Sequence, residues 1–309
     1  MITNWLSRYR PLRPLRPVLL MALLIAVAAL AGVLAVFWPA SWLARTGSGL
    51  LALTPGAGVR SPAEVLAGDG GDGTLRRIAA PVLMYHYISV PPEDADAYRQ
   101  DLSVTPENFR AQMAYLATAG YTPISLYDLN RALRWGTPLP TRPVVLTFDD
   151  GYRDFYENAF PVLRELGFTA TVFVITGRLD EGDPAYLTWA QARELAAAGI
   201  DIESHTKDHP SLVGRDAEFL HYQIKGSLES IEAHLGRPAH LFCYPAGRWD
   251  ETVLALLPEY DVWLAVVTEG GIEHTTDGVH LLRRVRISGD TDLETFAALL
   301  RWEWDRAAS

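Results

Sequence analysis

From Pro81 onward the chain alternates two kinds of apolar pattern. Short runs rich in β-branched and aromatic residues have the length of buried strands: P-V-L-M-Y-H-Y (81–87), P-V-V-L-T-F-D (143–149), A-T-V-F-V-I-T (170–176), I-D-I-E-S-H (200–205), L-F-C-Y-P (241–245) and V-W-L-A-V-V-T (262–268). Between them, apolar residues recur at helical spacing near 106–118, 126–135, 155–166, 189–198, 216–235 and 250–257. Several helical stretches end at a glycine, among them Gly136, Gly167 and Gly236, as the left-handed helix terminus favours. Strand and helix repeating in turn predict one α/β domain over 79–309 with a parallel sheet, either closed into a barrel or open and doubly wound.

Ahead of this domain the pattern is different. Residues 18–38 carry no charge (V-L-L-M-A-L-L-I-A-V-A-A-L-A-G-V-L-A-V-F-W), and as a helix they would span roughly 31 Å, the thickness of a bilayer's hydrocarbon core. Arg8, Arg10, Arg13 and Arg16 precede the run and only Arg45 follows closely, so residues 1–17 are expected in the cytoplasm and the domain outside. Trp38 and Trp42 fall where interfacial aromatics belong. The expectation is therefore one transmembrane anchor, with a cleaved signal peptide as the alternative. Residues 39–78, rich in Gly, Ala, Pro and Ser, read as a flexible linker.

Composition narrows the function classes. With 49% apolar residues and 21% charged, a 309-residue chain buries a substantial core and does not read as disordered. A single cysteine, Cys243, excludes an intrachain disulfide and any cysteine-rich zinc cluster. Five arginines and no acid in residues 1–45 leave −15 on the remainder of a chain whose net charge is −10. So acidic a domain disfavours nucleic acid, whose binding rests on cationic contacts to phosphate.

Polar residues cluster where three apolar runs end. T-F-D-D-G (Thr147 to Gly151) puts two adjacent acids at one strand end. Adjacent strand side chains point in different directions, so they do not form a glycosidase pair flanking one bond. One can bind a metal while the other stays free as a base; the plain alternative is an Asp that caps the next helix. In S-H-T-K-D-H-P (Ser204 to Pro210), His205 and His209 are four apart and can face one ion if the chain turns helically there. In F-C-Y-P-A-G (Phe242 to Gly247), a turn after a strand can aim a backbone N–H at the same face.

In order and spacing these segments resemble the polysaccharide deacetylases of carbohydrate esterase family four, over about Pro81 to Leu300. M-Y-H-Y (Met84 to Tyr87) and L-T-W (Leu187 to Trp189) are similar to the branch acting on poly-N-acetylglucosamine. The resemblance implies a distorted (β/α) barrel of seven strands and removal of N-acetyl groups from an N-acetylglucosamine-containing polysaccharide. It implies Asp149 as general base, Asp150, His205 and His209 as ligands of a divalent metal ion, zinc first among them, and Tyr244 as donor of an oxyanion-hole N–H. O-acetyl ester hydrolysis, hydrolysis of a non-sugar amide and non-catalytic carbohydrate binding are the rival functions.

Two departures stand out. Many family members open the third motif with an arginine that pairs with the base, and this chain has His240-Leu241-Phe242 there. Arg284 resembles an arginine of the late strand in the branch and is the candidate replacement; the bland reading is a surface arginine. The histidine with which many members end as general acid is also missing, which leaves His86 as a candidate by exclusion. Cys243 reads as a small buried hydrophobe. His221, His234, His240 and His274 lie among polar residues and are expected at the surface, and Tyr98, Trp135 and Trp249 are candidates for stacking on sugars.

Overall fold

The computed structural model describes residues 71–307. The expected cytoplasmic tail and anchor, and most of the linker, lie outside the described residues. Among the described residues, no helix is long and apolar enough to cross a membrane.

Seven strands form one curled parallel path: β1 (Val82–Tyr85), β2 (Pro143–Phe148), β3 (Thr171–Val174), β4 (Asp201–Ser204), β5 (Leu241–Cys243), β6 (Leu264–Val266) and β7 (Val285–Arg286). Their spatial order is β6-β5-β4-β3-β2-β1-β7, with Thr122–Pro123 paired beside the start of β2. One stretch of chain joins the two edges. Leu282 N–H donates to Ala265 O beside β6 at 2.9 Å, and three residues later Val285 pairs with Leu83 of β1. The architecture agrees with a distorted barrel. Six of its strands coincide with the apolar runs, whereas β7 is two residues long and too short to leave a pattern.

Strand alternation sorts the core into two. Leu83, Leu146, Phe148, Val172, Val174, Ile202, Phe242 and Ala265 point outward and share a core with the surrounding helices. Val82, Val145, Phe173, Leu241, Cys243 and Val266 point inward. Helix α1 (Leu126–Trp135) closes the barrel at the amino-terminal ends of the strands, where Leu126, Tyr127, Leu129 and Leu133 join the inner cluster. Ser125 and Asp128 cap this helix reciprocally, so its start is fixed locally. Each fully buried side chain of this size stabilises the fold by roughly 1.5–3 kcal/mol.

The inner space also holds Glu203 of β4, fully buried. Its carboxylate accepts from Tyr127 Oη at 2.8 Å and from the N–H groups of His240 and Leu241 at 3.0 Å. Burial pushes the carboxyl above its ordinary range, against the opposing pull of Arg237 and these donors. Two of the four histidines expected at the surface are buried. His240 stacks on Trp263 with ring centroids 3.8 Å apart, and His274 Nε2 lies 2.9 Å from Ala80 O. Their polar sequence neighbours mislead, because the partners that bury them come from distant strands.

Candidate active site

The same alternation builds the site. Continuing the inward set one step past each strand end (Met84, Thr147, Glu203) reaches His86, Asp149 and His205 on one rim; Arg284, just before β7, faces inward to meet them. Asp149 is anchored at the strand end by its own N–H, which donates to Tyr85 O at 2.9 Å. Arg284 Nη1 and Nη2 donate to Asp149 Oδ1 and Oδ2, both at 2.7 Å, in a bidentate pair that solvent does not reach. The guanidinium is held in turn by Val267 O (2.9 Å) and Thr147 Oγ1 (3.1 Å). Burial alone would raise the Asp149 carboxyl, but the Arg284 charge and hydrogen bonds outweigh it and hold the carboxyl well below the usual range. The surface reading of Arg284 is thereby overturned; its side chain is fully buried.

Asp150 faces elsewhere. Strand alternation would send it outward with Phe148, but it takes the left-handed conformation (φ 70°), which Asp tolerates better than most residues. Gly151 follows at φ 77°, and a Cβ there would lie 2.9 Å from Val174 Cγ1, so glycine is required for the turn. Asp150 Oδ1 thus reaches 3.4 Å from His205 Nε2 and 3.5 Å from His209 Nε2. One donor atom from each residue of this trio lies within 4.8 Å of the others. Burial raises the Asp150 carboxyl, but hydrogen bonding and charge at His205 hold it below the usual range.

The donors fit a divalent cation. His205 Nδ1 lies 2.7 Å from Cys243 O, and a carbonyl only accepts, so Nδ1 carries a proton and Nε2 is the atom turned toward Asp150, where a cation would take the place of a second proton. Burial lowers His209, with His205 next in effect, which favours the neutral, ligating form. A second cluster, Asp149, His205 and Cys243, has suitable spacing but does not suit a cation. The Arg284 guanidinium already sits 2.7 Å from the Asp149 carboxylate and 3.3 Å from Cys243 Sγ.

Tyr244 closes β5. Its N–H donates to Val266 O at 3.3 Å, a long hydrogen bond, and its phenol donates outward to His280 O. His86, which the sequence offered only by exclusion, stands with Nε2 3.8 Å from Asp149 Oδ2. Burial lowers its imidazole pKa, against the raising effect of the Asp149 and Asp150 carboxylates. The sugar-stacking candidates fare differently. Trp135 belongs to α1 at the opposite end of the barrel, and Trp249 is half-buried and packs one side against the outer core. Tyr98 is exposed beside Arg99. Sequence reasoning missed a column of Tyr87, Tyr152 and Tyr186, with ring centroids 3.6 and 5.1 Å apart, under Arg99. The Asp150 carboxylate helps to raise all three phenols, after burial. Tyr152 follows Asp150 by two residues, which was the one available signal.

The polysaccharide deacetylase family matches residues 136–263. YxkH of Bacillus subtilis, which carries that family description, is 32% identical over 220 residues, covering 71% of this chain and 75% of its own. The poly-β-1,6-N-acetyl-D-glucosamine N-deacetylase of Staphylococcus epidermidis is 26% identical over 219 residues, 67% of this chain and 73% of that protein. Among solved structures, the Streptococcus pyogenes deacetylase PplD, determined with acetate, superposes with a TM-score of 0.68 at 30% identity. That match covers 73% of this chain and 99% of PplD. The chain belongs to the polysaccharide deacetylases, carbohydrate esterase family four, and is a hydrolase of N-acetyl groups.

Proposed function

We propose that this chain hydrolyses the acetamide of N-acetylglucosamine units in a polysaccharide outside the cell, releasing acetate and leaving a free amine on the sugar. The observation that carries the reading is the side-by-side placement of two unlike carboxylates. Asp150 is grouped with two imidazoles, while both oxygens of Asp149 are taken up by the bidentate pair with Arg284. Asp150, His205 and His209 would hold a divalent ion, with zinc the first choice for two imidazoles and one carboxylate. When bound, the ion supplies Lewis acidity that polarises the acetamide carbonyl and acidifies a water.

The chain's own groups do the rest. Arg284 keeps Asp149 ionised and oriented, so it enters the reaction as a proton acceptor. A carboxylate so stabilised is a weak base, and the proton it takes has to move on. His86 Nε2, 3.8 Å from Oδ2 and kept neutral by burial, is the next acceptor in line and can deliver the proton to the departing amine. Tyr244 N–H, weakly engaged at the last rung of β5, is the candidate donor to the oxyanion. The substrate for which the Staphylococcus epidermidis relative is named supports an N-acetylglucosamine polymer. The acidic domain suits the cationic product better than an anionic one.

The test is incubation of the purified protein with defined acetylated oligosaccharides, read by mass spectrometry and amine labelling. Acetate with an equal amount of new amine is expected. Acetate without new amine would make the chain an ester hydrolase, and metal-loaded protein that releases none would leave it a binding protein. The anchor over 18–38 is proposed with the domain extracytoplasmic; recovery of the mature protein away from membranes, beginning near residue 40, would refute it.

A further inference from the structure

The two histidines of S-H-T-K-D-H are separated by Thr206, Lys207 and Asp208, and this short loop is held from behind at every residue. Thr206 takes the left-handed conformation (φ 68°), and its Oγ1 accepts from His209 N–H at 2.9 Å. Lys207 Nζ bonds Asp180 at 2.6 Å and Ser230 at 2.8 Å. Helix α2 (Thr176–Glu181) sets its first turn against the loop. Gly177 N–H donates to Lys207 O at 2.8 Å, and a Cβ at Gly177 would lie 2.6 Å from that oxygen.

Three further contacts come from one buried residue, Gln223. Its backbone carbonyl accepts from Lys207 N–H at 3.1 Å. Its side-chain Oε1 accepts from Asp208 N–H at 3.0 Å, and Nε2 donates to Asp208 Oδ2 at 2.7 Å. The amide orientation follows from chemistry, because a backbone N–H only donates and a carboxylate only accepts. Three hydrogen bonds from one residue thus fix the two residues that precede His209.

Gln223 reaches the loop from an irregular turn. It lies in His221–Lys225, a π turn between Ala217–Leu220 and helix α3 (Gly226–Leu235), with Gly226 N–H bonded to His221 O five residues back. The Gln223 carbonyl, in the middle of this π turn, accepts from Lys207 N–H, so the irregular turn and the loop meet at this residue.

We propose that Gln223 is a positioning residue for the metal site: it fixes the loop so that His209 meets Asp150 and His205 without reorganisation when an ion binds. The inference rests on the metal reading given above. His209 needs such support more than His205, since it sits on the loop at φ 58° and is the most exposed of the three ligands. Groups that hold a metal's ligands from behind typically change affinity 10–100-fold when removed, and Gln223 acts on His209 through the two residues before it.

The test uses the full chain, zinc or cobalt(II) alone as probe, and chelator competition to measure affinity. Gln223→Leu is expected to weaken binding 10–100-fold and to alter the visible spectrum of the cobalt(II) form. Gln223→Glu sets a carboxylate against Asp208 and should weaken binding similarly. Adding Asp208→Asn to it restores a donor–acceptor pair with the roles reversed, so Gln223→Glu/Asp208→Asn should recover to within about 3-fold of wild type. This exchange still decides the matter if Gln223→Leu does not fold. A wild-type affinity and spectrum in Gln223→Glu, or a double variant as weak as Gln223→Glu, overturns the proposal while leaving the metal site intact. Wild type that binds no ion overturns the metal reading itself.

Discussion

Arg284 and Asp149 are 135 residues apart in sequence and meet in a bidentate pair with both bonds at 2.7 Å, inside the barrel and out of solvent. The third motif opens on His240-Leu241-Phe242 without an arginine, and the partner of Asp149 comes instead from the segment just before β7. Removing it would strand a buried carboxylate. Arg284→Met is expected to cost about 3–5 kcal/mol of stability, the usual penalty for breaking a buried pair from one side. Urea denaturation checks this. Arg284→Lys should be milder in stability, yet still impaired in turnover, because an ammonium cannot make the two parallel bonds. Wild-type turnover in Arg284→Lys would show that orientation of Asp149 does not matter.

Asp149 and Asp150 should fail in different ways. Asp149→Asn removes the proton acceptor, and turnover should fall on the order of 10²–10⁴-fold with the metal retained. It also leaves the buried Arg284 without a counter-charge, so a loss of stability should accompany the loss of activity. Asp150→Asn exchanges an anionic ligand for a neutral one; metal affinity should drop, and added zinc should partly restore turnover. Elemental analysis beside the deacetylation rate separates the two. Metal lost from Asp149→Asn and kept in Asp150→Asn would reverse the assignments.

Much of this site could be read from the sequence because it hangs on strand ends. Asp149 and His205 each terminate an apolar run long enough to be recognised, and period-two alternation then places them on one rim. Arg284 escaped that logic. Its strand is two residues long, and in L-L-R-R-V-R-I the family resemblance, not the apolar pattern, singled out the second of three arginines, which the fold shows turned inward. The left-handed step at Asp150, which separates the roles of two adjacent acids, has no signal beyond the glycine after it. The tyrosine column and the buried His240 and His274 depend on partners from other strands, so no local pattern announces them.

His274 makes stability depend on pH. Burial lowers its pKa from 6.5 to about 4, and Nδ1 is buried without a hydrogen-bond partner. The unfolded chain therefore binds a proton at this site between pH 6.5 and 4 that the folded chain does not, and stability from this group is lost as pH falls through that window. A lowering of that size corresponds to on the order of 3 kcal/mol. Denaturation of wild type and His274→Gln at several pH values should show a shallower acid limb in the variant. Parallel curves would mean that His274 is charged in the folded state.

His86 is the last group whose role can be separated by experiment. It faces inward one step past β1, 3.8 Å from Asp149, and it is not among the proposed ligands. His86→Gln keeps a polar group of similar reach but cannot carry a proton through the cycle. Metal content should stay at the wild-type level, and kcat should fall on the order of 10²-fold or more with little change in KM. The pH profile supplies the sharper check. If His86 passes a proton to the amine, its loss should remove one limb of the kcat profile; a structural histidine would lower the curve without changing its shape. A leaving group that needs no proton gives an independent comparison, since an acetate ester of an acidic phenol departs as the anion. His86→Gln should hydrolyse such an ester nearly as well as wild type while failing on the acetamide. Equal losses on both substrates would remove His86 from proton transfer and leave the amine to be protonated by Asp149 itself.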